Sequence, residues 1–302
     1  MNTISLKIDV DTERGTRIGV PNLLALFEKL GIKATFLYSL GPDNTGRALK
    51  RIFRPGFLKK VSRTSVVSTY GIRTLLNGVL WPGPHIAKRH GNILRQSQRE
   101  GHEVGIHSYD HCDWQDHLMY WSKEKVTEVF QQALDEFKHV FCRPAHTAGT
   151  AGWQANANSL AAYDEAGLLY GSDCRGVCPF IPRIDGQLFK TLQIPSTLPT
   201  LDELIGRSEY SLNAIQDHFF ELCERGGYPN IFTVHAELEG MKYLDWFEAF
   251  LKQALFKGYR FVMMKEIAEQ YLAAPENIPV HDFVQAAIPG RSGTLACQQV
   301  TV

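Results

Sequence analysis

Three short stretches of this 302-residue chain combine side chains that can hold a cation or move a proton. The first is Asp9-Val10-Asp11. Residues two apart on a strand share a face, so both carboxylates project the same way, about 6.6 Å apart along the chain. A pair like this at a strand end of a βα protein lies where active sites form, although a solvated strand end or a helix cap uses the same residues. The second stretch is His107-Ser108-Tyr109-Asp110-His111. Two imidazoles four residues apart converge on one cation where a strand runs into a helical turn. Eleven histidines in the chain also make chance pairs, so this pair gains weight only beside a carboxylate from another strand end. Two histidines and one aspartate leave positions open to water, which suits metal-assisted hydrolysis and equally a non-haem iron oxygenase. The third stretch is Phe232-Thr233-Val234-His235. An imidazole at the end of an apolar strand can act as a general acid near neutral pH, or sit hydrogen-bonded in a core.

The segments carrying these residues alternate in kind. Ser5 to Val10 alternates polar and apolar residues, and Ala34 to Tyr38, Glu103 to Ile106 and Ile231 to Val234 read as further strands. Val20-Pro21 opens an amphipathic helix that runs to Leu30, with proline at an early position where it is tolerated. Helical spacing recurs over Lys123 to His139, Ala161 to Gly167, Asn213 to Arg225, Leu244 to Lys257 and from Lys265 onward. Leu168 to Ser172 and Arg260 to Met263 complete the strand set. Repeated βα units predict a parallel sheet covered by helices, either open or closed into a barrel. After Ala273, proline and glycine punctuate the chain without a clear period, which predicts a loosely structured tail over residues 273–302.

Composition bounds the rest. Hydrophobic residues at 44% and charged residues at 21% exclude a disordered chain. Residues Met1 to Asp11 show no charged leader followed by a long apolar run, and no apolar stretch reaches the roughly 18 residues that cross a bilayer. Six cysteines without a C-x-x-C pair read as reduced thiols in the cytoplasm. Net charge is zero, yet between Asn44 and Arg99 lie twelve of the 32 basic residues and none of the 32 acidic ones. Leu49, Ile52, Phe53, Phe57, Leu58 and Val61 recur there at helix-like spacing, interleaved with Lys50, Arg51, Arg54, Lys59 and Lys60. A basic amphipathic insertion on an anionic membrane surface fits this pattern, each cation contributing about 1 kcal/mol. Tyr70 and Trp81 would then sit at headgroup level. A soluble cap whose apolar face covers the fold would look the same. No nucleic-acid-binding motif accompanies the charge, so no nucleic acid partner is expected.

Taken in order, Asp9-x-Asp11, His107 to His111, Arg143-Pro144 and strand-borne His235 resemble the NodB-type polysaccharide deacetylases. The resemblance spans roughly Ile4 to Leu272 and includes longer signatures. Among them are Ile8-Asp9-Val10-Asp11-Thr12 with Arg14-Gly15-Thr16, Gly41-Pro42-Asp43-Asn44 and Ala151-Gly152-Trp153. Others are Ser172-Asp173-Cys174-Arg175-Gly176 and His235-Ala236-Glu237-Leu238-Glu239-Gly240.

The resemblance implies an α/β fold, a distorted (β/α) barrel of the NodB deacetylase type over residues 1–272, with residues 44–99 as the basic amphipathic insertion. It implies one divalent metal ion (zinc, cobalt or manganese) on Asp11, His107 and His111. Asp9 would be the general base and His235 the general acid, with Arg143 orienting Asp9 and Asp173 tuning His235. Relatives commonly carry an aromatic residue after the arginine motif, whereas this chain reads Arg143-Pro144-Ala145.

Within the family the signatures are most similar to members acting on a formamido sugar carried by undecaprenyl phosphate, with Arg14 and Arg175 as candidates for the sugar phosphate. That similarity implies release of formate at the cytoplasmic side of the bacterial inner membrane, by a peripheral enzyme, in lipid A modification and cationic peptide (polymyxin) resistance. A cytosolic deacetylase or cyclic-amide hydrolase of the same family is the alternative enzyme. A carbohydrate-binding protein on the same scaffold is the alternative of another class, and it would need neither base nor acid.

Overall fold

The structure is a computed structural model that describes residues 3–48, 74–225 and 227–300. Lys50, Arg51, Arg54, Lys59 and Lys60, expected on a membrane surface, lie outside the described residues.

The chain lays down β1 (Thr3–Val10), β2 (Thr35–Ser39), β3 (Glu103–Ser108), β4 (Thr147–Ala148) and β5 (Tyr170–Gly171) in one parallel sheet. After β6 (Ile181–Ile184) and β7 (Gln187–Leu188), which belong elsewhere, β8 (Leu192–Gln193), β9 (Asn230–His235) and β10 (Arg260–Val262) complete its eight strands. β1 is central: Lys7 to Val10 pair with β2, Thr3 to Ser5 with β10, and Ile4 to Asp9 with β9. Helices α1 (Val20–Leu30), α2 (Ile86–Arg99), α3 (His111–His117), α4 (Lys123–Phe141) and α5 (Ala157–Ala166) follow the first strands. α6 (Leu212–Glu224), α7 (Leu244–Phe256) and α8 (Met264–Leu272) cover the remainder.

Strand alternation explains how β1 is buried on both faces yet half polar. Ile4, Leu6, Ile8 and Val10 join the main apolar core, with Leu23 and Phe27 of α1 and Phe247 and Phe250 of α7. Ser5, Lys7 and Asp9 point to the other face and are buried as well. The sheet therefore curls around a polar interior. Its closing seam is made by single bonds rather than a ladder: Thr197 N and Leu198 N both donate to Ile231 O, and Ile231 N donates to Thr197 Oγ1 at 2.8 Å. This is the distorted (β/α) barrel.

α4 shows how the local sequence builds the outer layer. Ser122 Oγ accepts from Lys125 N as the N-cap, and Val126, Val129, Phe130, Ala133, Phe137 and Val140 form the buried stripe.

The segment after Ala273 is not the loose tail expected of it. β11 (Val280–Ala286) pairs in parallel with β6 and antiparallel with β12 (Leu295–Gln299), in a second sheet ordered β12-β11-β6-β7. Phe283 and Ala296 are buried there with Phe180 and Phe189. Pro289 and Gly290 fall in the loop between two short strands of mixed polarity, so punctuation that reads as disorder is a hairpin connection. Among the described residues, no helix is long and apolar enough to cross a membrane.

Candidate metal centre

Parallel strands put their C-terminal ends, and the loops that follow, at one mouth of the barrel. Asp11 follows the last residue of β1, His107 is the penultimate residue of β3, and His111 is the first residue of α3. Asp110 caps α3 by accepting from Asp113 N at 3.1 Å, while its other oxygen accepts from Asn44 Nδ2 at 2.6 Å. That cap holds His111 in the first turn, facing back over the strand end.

The three side chains meet. His107 Nε2 lies 3.2 Å and His111 Nε2 3.5 Å from Asp11 Oδ1, and one ligand atom from each residue lies within 4.8 Å of the others. His107 Nδ1 sits 2.6 Å from the carbonyl oxygen of Gly149. A carbonyl only accepts, so Nδ1 carries the proton and Nε2 turns a lone pair toward Asp11. Asp11 Oδ1 is buried without a well-formed hydrogen bond among the described residues. A carboxylate oxygen facing two imidazole nitrogens is a donor set that fits a divalent cation. Burial by itself would raise the Asp11 carboxyl, but the surrounding imidazoles of His111, His107 and His235 hold it far below the usual carboxylate range.

A second carboxyl braces this one from behind. Glu237 Oε1 accepts from Asp11 N, Thr12 N and Thr12 Oγ1 at 3.1, 2.9 and 2.8 Å. Any side chain at Gly15 would collide with that carboxyl, which explains the glycine. Burial, with the charge of Asp11, pushes the Glu237 carboxyl well above its ordinary range.

Asp9 and His235 flank the centre as register partners on β1 and β9, and Ala236 N donates to Asp9 O at 3.0 Å. Asp9 is buried, its Oδ2 3.2 Å from Lys7 Nζ. The His235 backbone N donates to Glu239 Oε2 at 2.9 Å, and its ring meets Trp153 edge-on at 6.4 Å between centroids. Trp153 itself has a left-handed backbone (φ 54°), uncommon for a bulky residue, and its ring also underlies Arg291 and Arg175 at 4.6 and 5.5 Å.

Two expected partners stand elsewhere. The structure does not bring Arg143 to Asp9. It follows Cys142, the left-handed residue that ends α4, on the side where β4 begins, and its guanidinium lies over Phe137 at 5.9 Å. The cation at Asp9 is Lys7. Asp173 does not face His235 either, because β8 separates β5 from the seam with β9. Its carboxylate accepts from Thr150 N, Tyr163 OH and Gln193 Nε2 at 2.8, 3.0 and 2.8 Å. The carboxylate at His235 is Asp202, 4.0 Å from Nδ1, itself bonded by Thr200 Oγ1 and by Arg291 from the β11–β12 loop.

The two substrate candidates also differ. Arg175 is committed to Glu203, Leu198 O and Ser196 O. Arg14 Nε is buried with no hydrogen-bond partner among the described residues. Lys7 was within reach of sequence reasoning, since it precedes Asp9 by two on a strand. Asp202 and Arg291, on a one-turn helix and a hairpin loop, carry no such signal.

The family model for polysaccharide deacetylase matches residues 3–171. A probable 4-deoxy-4-formamido-L-arabinose-phosphoundecaprenol deformylase ArnD of Shewanella sediminis (strain HAW-EB3) is 37% identical over 297 residues, 98% of this chain and 94% of that one. A protein of the same name from Wigglesworthia glossinidia brevipalpis is 35% identical over 286 residues, 94% and 98% of the two chains. Among solved structures, a probable polysaccharide deacetylase from Pseudomonas aeruginosa PAO1 shares the fold at a TM-score of 0.60, with 17% identity over 90% of this chain and 91% of that one.

Proposed function

The chain belongs to the polysaccharide deacetylase family, and from that membership we propose that it is a metal-dependent deformylase. Its substrate is 4-deoxy-4-formamido-L-arabinose-phosphoundecaprenol, which it hydrolyses to formate and the free 4-amino sugar on the same lipid. One observation carries the chemistry: a buried Asp11 oxygen facing His107 and His111, with Asp9 and His235 in register on adjacent strands.

Asp11, His107 and His111 hold the ion, whose Lewis acidity toward water and toward a carbonyl oxygen is the chemistry it supplies; zinc, cobalt and manganese all suit these ligands. Asp9 Oδ1, the oxygen not turned to Lys7, takes the proton of the attacking water. An amine leaves poorly unless protonated, and His235 delivers that proton to the sugar nitrogen. Adjacent strands lie about 4.8 Å apart, so base and acid reach one amide group from neighbouring positions. Arg14, with its unpaired Nε, meets the sugar phosphate through a charge-assisted hydrogen bond.

On our reading, the work lies at the cytoplasmic face of the inner membrane, in lipid A modification. The basic insertion supports a peripheral attachment there. So do Val79, Leu80 and Trp81 within it, exposed at 54%, 66% and 41%.

Mass spectrometry of the formamido-arabinose lipid, incubated with the metal-loaded protein, tests the reaction. Formate and the amino sugar should form, a chelator should stop them, and the N-acetyl analogue should react more slowly. An unchanged formamido lipid beside a deacetylated analogue would reassign the substrate. Co-sedimentation with anionic vesicles, lost when the insertion's Lys and Arg are replaced, tests the attachment.

A further inference from the structure

Among the described residues, one wholly buried cation is a lysine that neither the ion ligands nor the acid side requires. Lys7 is wholly buried, with Nζ 3.2 Å from Asp9 Oδ2 and 5.3 Å from the centre of the Trp153 ring. A glycine clears its path: a Cβ at Gly149 would stand 3.1 Å from Lys7 Cε. An ammonium is tolerated this far from water only when it is paired, and a methionine of similar length would fill the same space without that demand. Retaining the charge therefore calls for a role beyond packing.

We propose that Lys7 is the positioning residue of the base: it holds Asp9 by Oδ2 and leaves Oδ1 turned toward the reacting water. The proposal rests on the reading of Asp9 as general base. Three observations support it. Asp9 Oδ1 is buried with no hydrogen-bond partner among the described residues, 3.8 Å from His107 Nδ1, while Oδ2 lies in ion-pair range of Lys7 Nζ, so one oxygen faces the cation and the other is available. Lys7 and Asp9 lie two apart on β1, which fixes them on one face without help from a loop. Arg143, the residue expected to orient Asp9, is over Phe137.

The test uses the full-length, metal-loaded protein and the formamido-arabinose lipid. Lys7→Met should lower kcat about 10²- to 10³-fold, with KM within about threefold of wild type and metal content unchanged. Lys7→Ala should regain rate in millimolar methylammonium or ethylammonium, which can enter the vacated space, and not in tetramethylammonium at equal ionic strength. A lysine that only supported packing would give no such amine dependence. Wild-type kcat in Lys7→Met would overturn the proposal, as would absence of amine rescue in folded, metal-loaded Lys7→Ala. Asp9→Asn separates the two readings. Turnover in that variant removes Asp9 as base, whereas an inactive Asp9→Asn beside a fully active Lys7→Met removes Lys7 alone.

Discussion

Where the strands begin, Thr35 Oγ1 and Lys265 N both donate to Glu103 Oε2 (2.6 and 3.0 Å), and Met264 N donates to Thr35 Oγ1 (2.9 Å). Where the strands end, Asp9 Oδ1, Asp11 Oδ1 and His235 Nδ1 are equally buried and have no such partners among the described residues. Both layers are polar, interior and carried by the same sheet. The lower layer bonds α8 to β2 and β3, so its polarity serves the fold. The upper layer leaves acceptors open at the cost of stability, which native proteins tolerate where a ligand completes the set.

The contrast can be broken from either side. The largest effect should come from His107→Ala. Removing one of two imidazoles should abolish stoichiometric metal binding and lower turnover by at least about 10³-fold while the fold persists, as metal analysis and circular dichroism together would show. Glu103→Ala should act in the opposite sense. Urea melts should show a loss of about 1–3 kcal/mol from orphaned donors, while turnover of the folded fraction stays near wild type.

A smaller effect concerns pH, near the lower layer. Burial, with the charge of Lys33 adding, holds His102 down to about 4, and its Nδ1 accepts from Ala34 N at 3.1 Å. The folded value lies below the ordinary 6.5. The stability His102 contributes is therefore complete above that value and is lost as pH falls through the folded one. Thermal midpoints taken across this range should fall in the wild type and fall less in His102→Gln. The smallest effect belongs to Arg143→Ala, for which kcat and melting point should both stay close to wild type, because the guanidinium lies at the far end of β4 from the reaction.

The candidate metal ligands were legible because one aspartate and two histidines fall at the ends of different strands, and parallel strands bring their ends together whatever the loops do. Lys7 was legible in principle from the alternation of β1, but lysine usually marks a solvated face, and nothing in the spacing says that the interior is polar. Partners of His235 were not legible. Asp202 reaches it from a one-turn helix, and Arg291 from a loop whose strands are too short and mixed to show a period. The same shortness hid the second sheet. Arg143 shows the converse error: a motif match fixes a residue's type, while the left-handed turn at Cys142 decides where its side chain goes.

X-ray absorption at the metal edge of the cobalt- or zinc-loaded protein measures the shared ion most directly. One ion per chain with two imidazole ligands, falling to one imidazole in His111→Ala, is the result expected if Asp11, His107 and His111 bind a single cation. A loaded, active protein whose metal shows no imidazole ligand would contradict it.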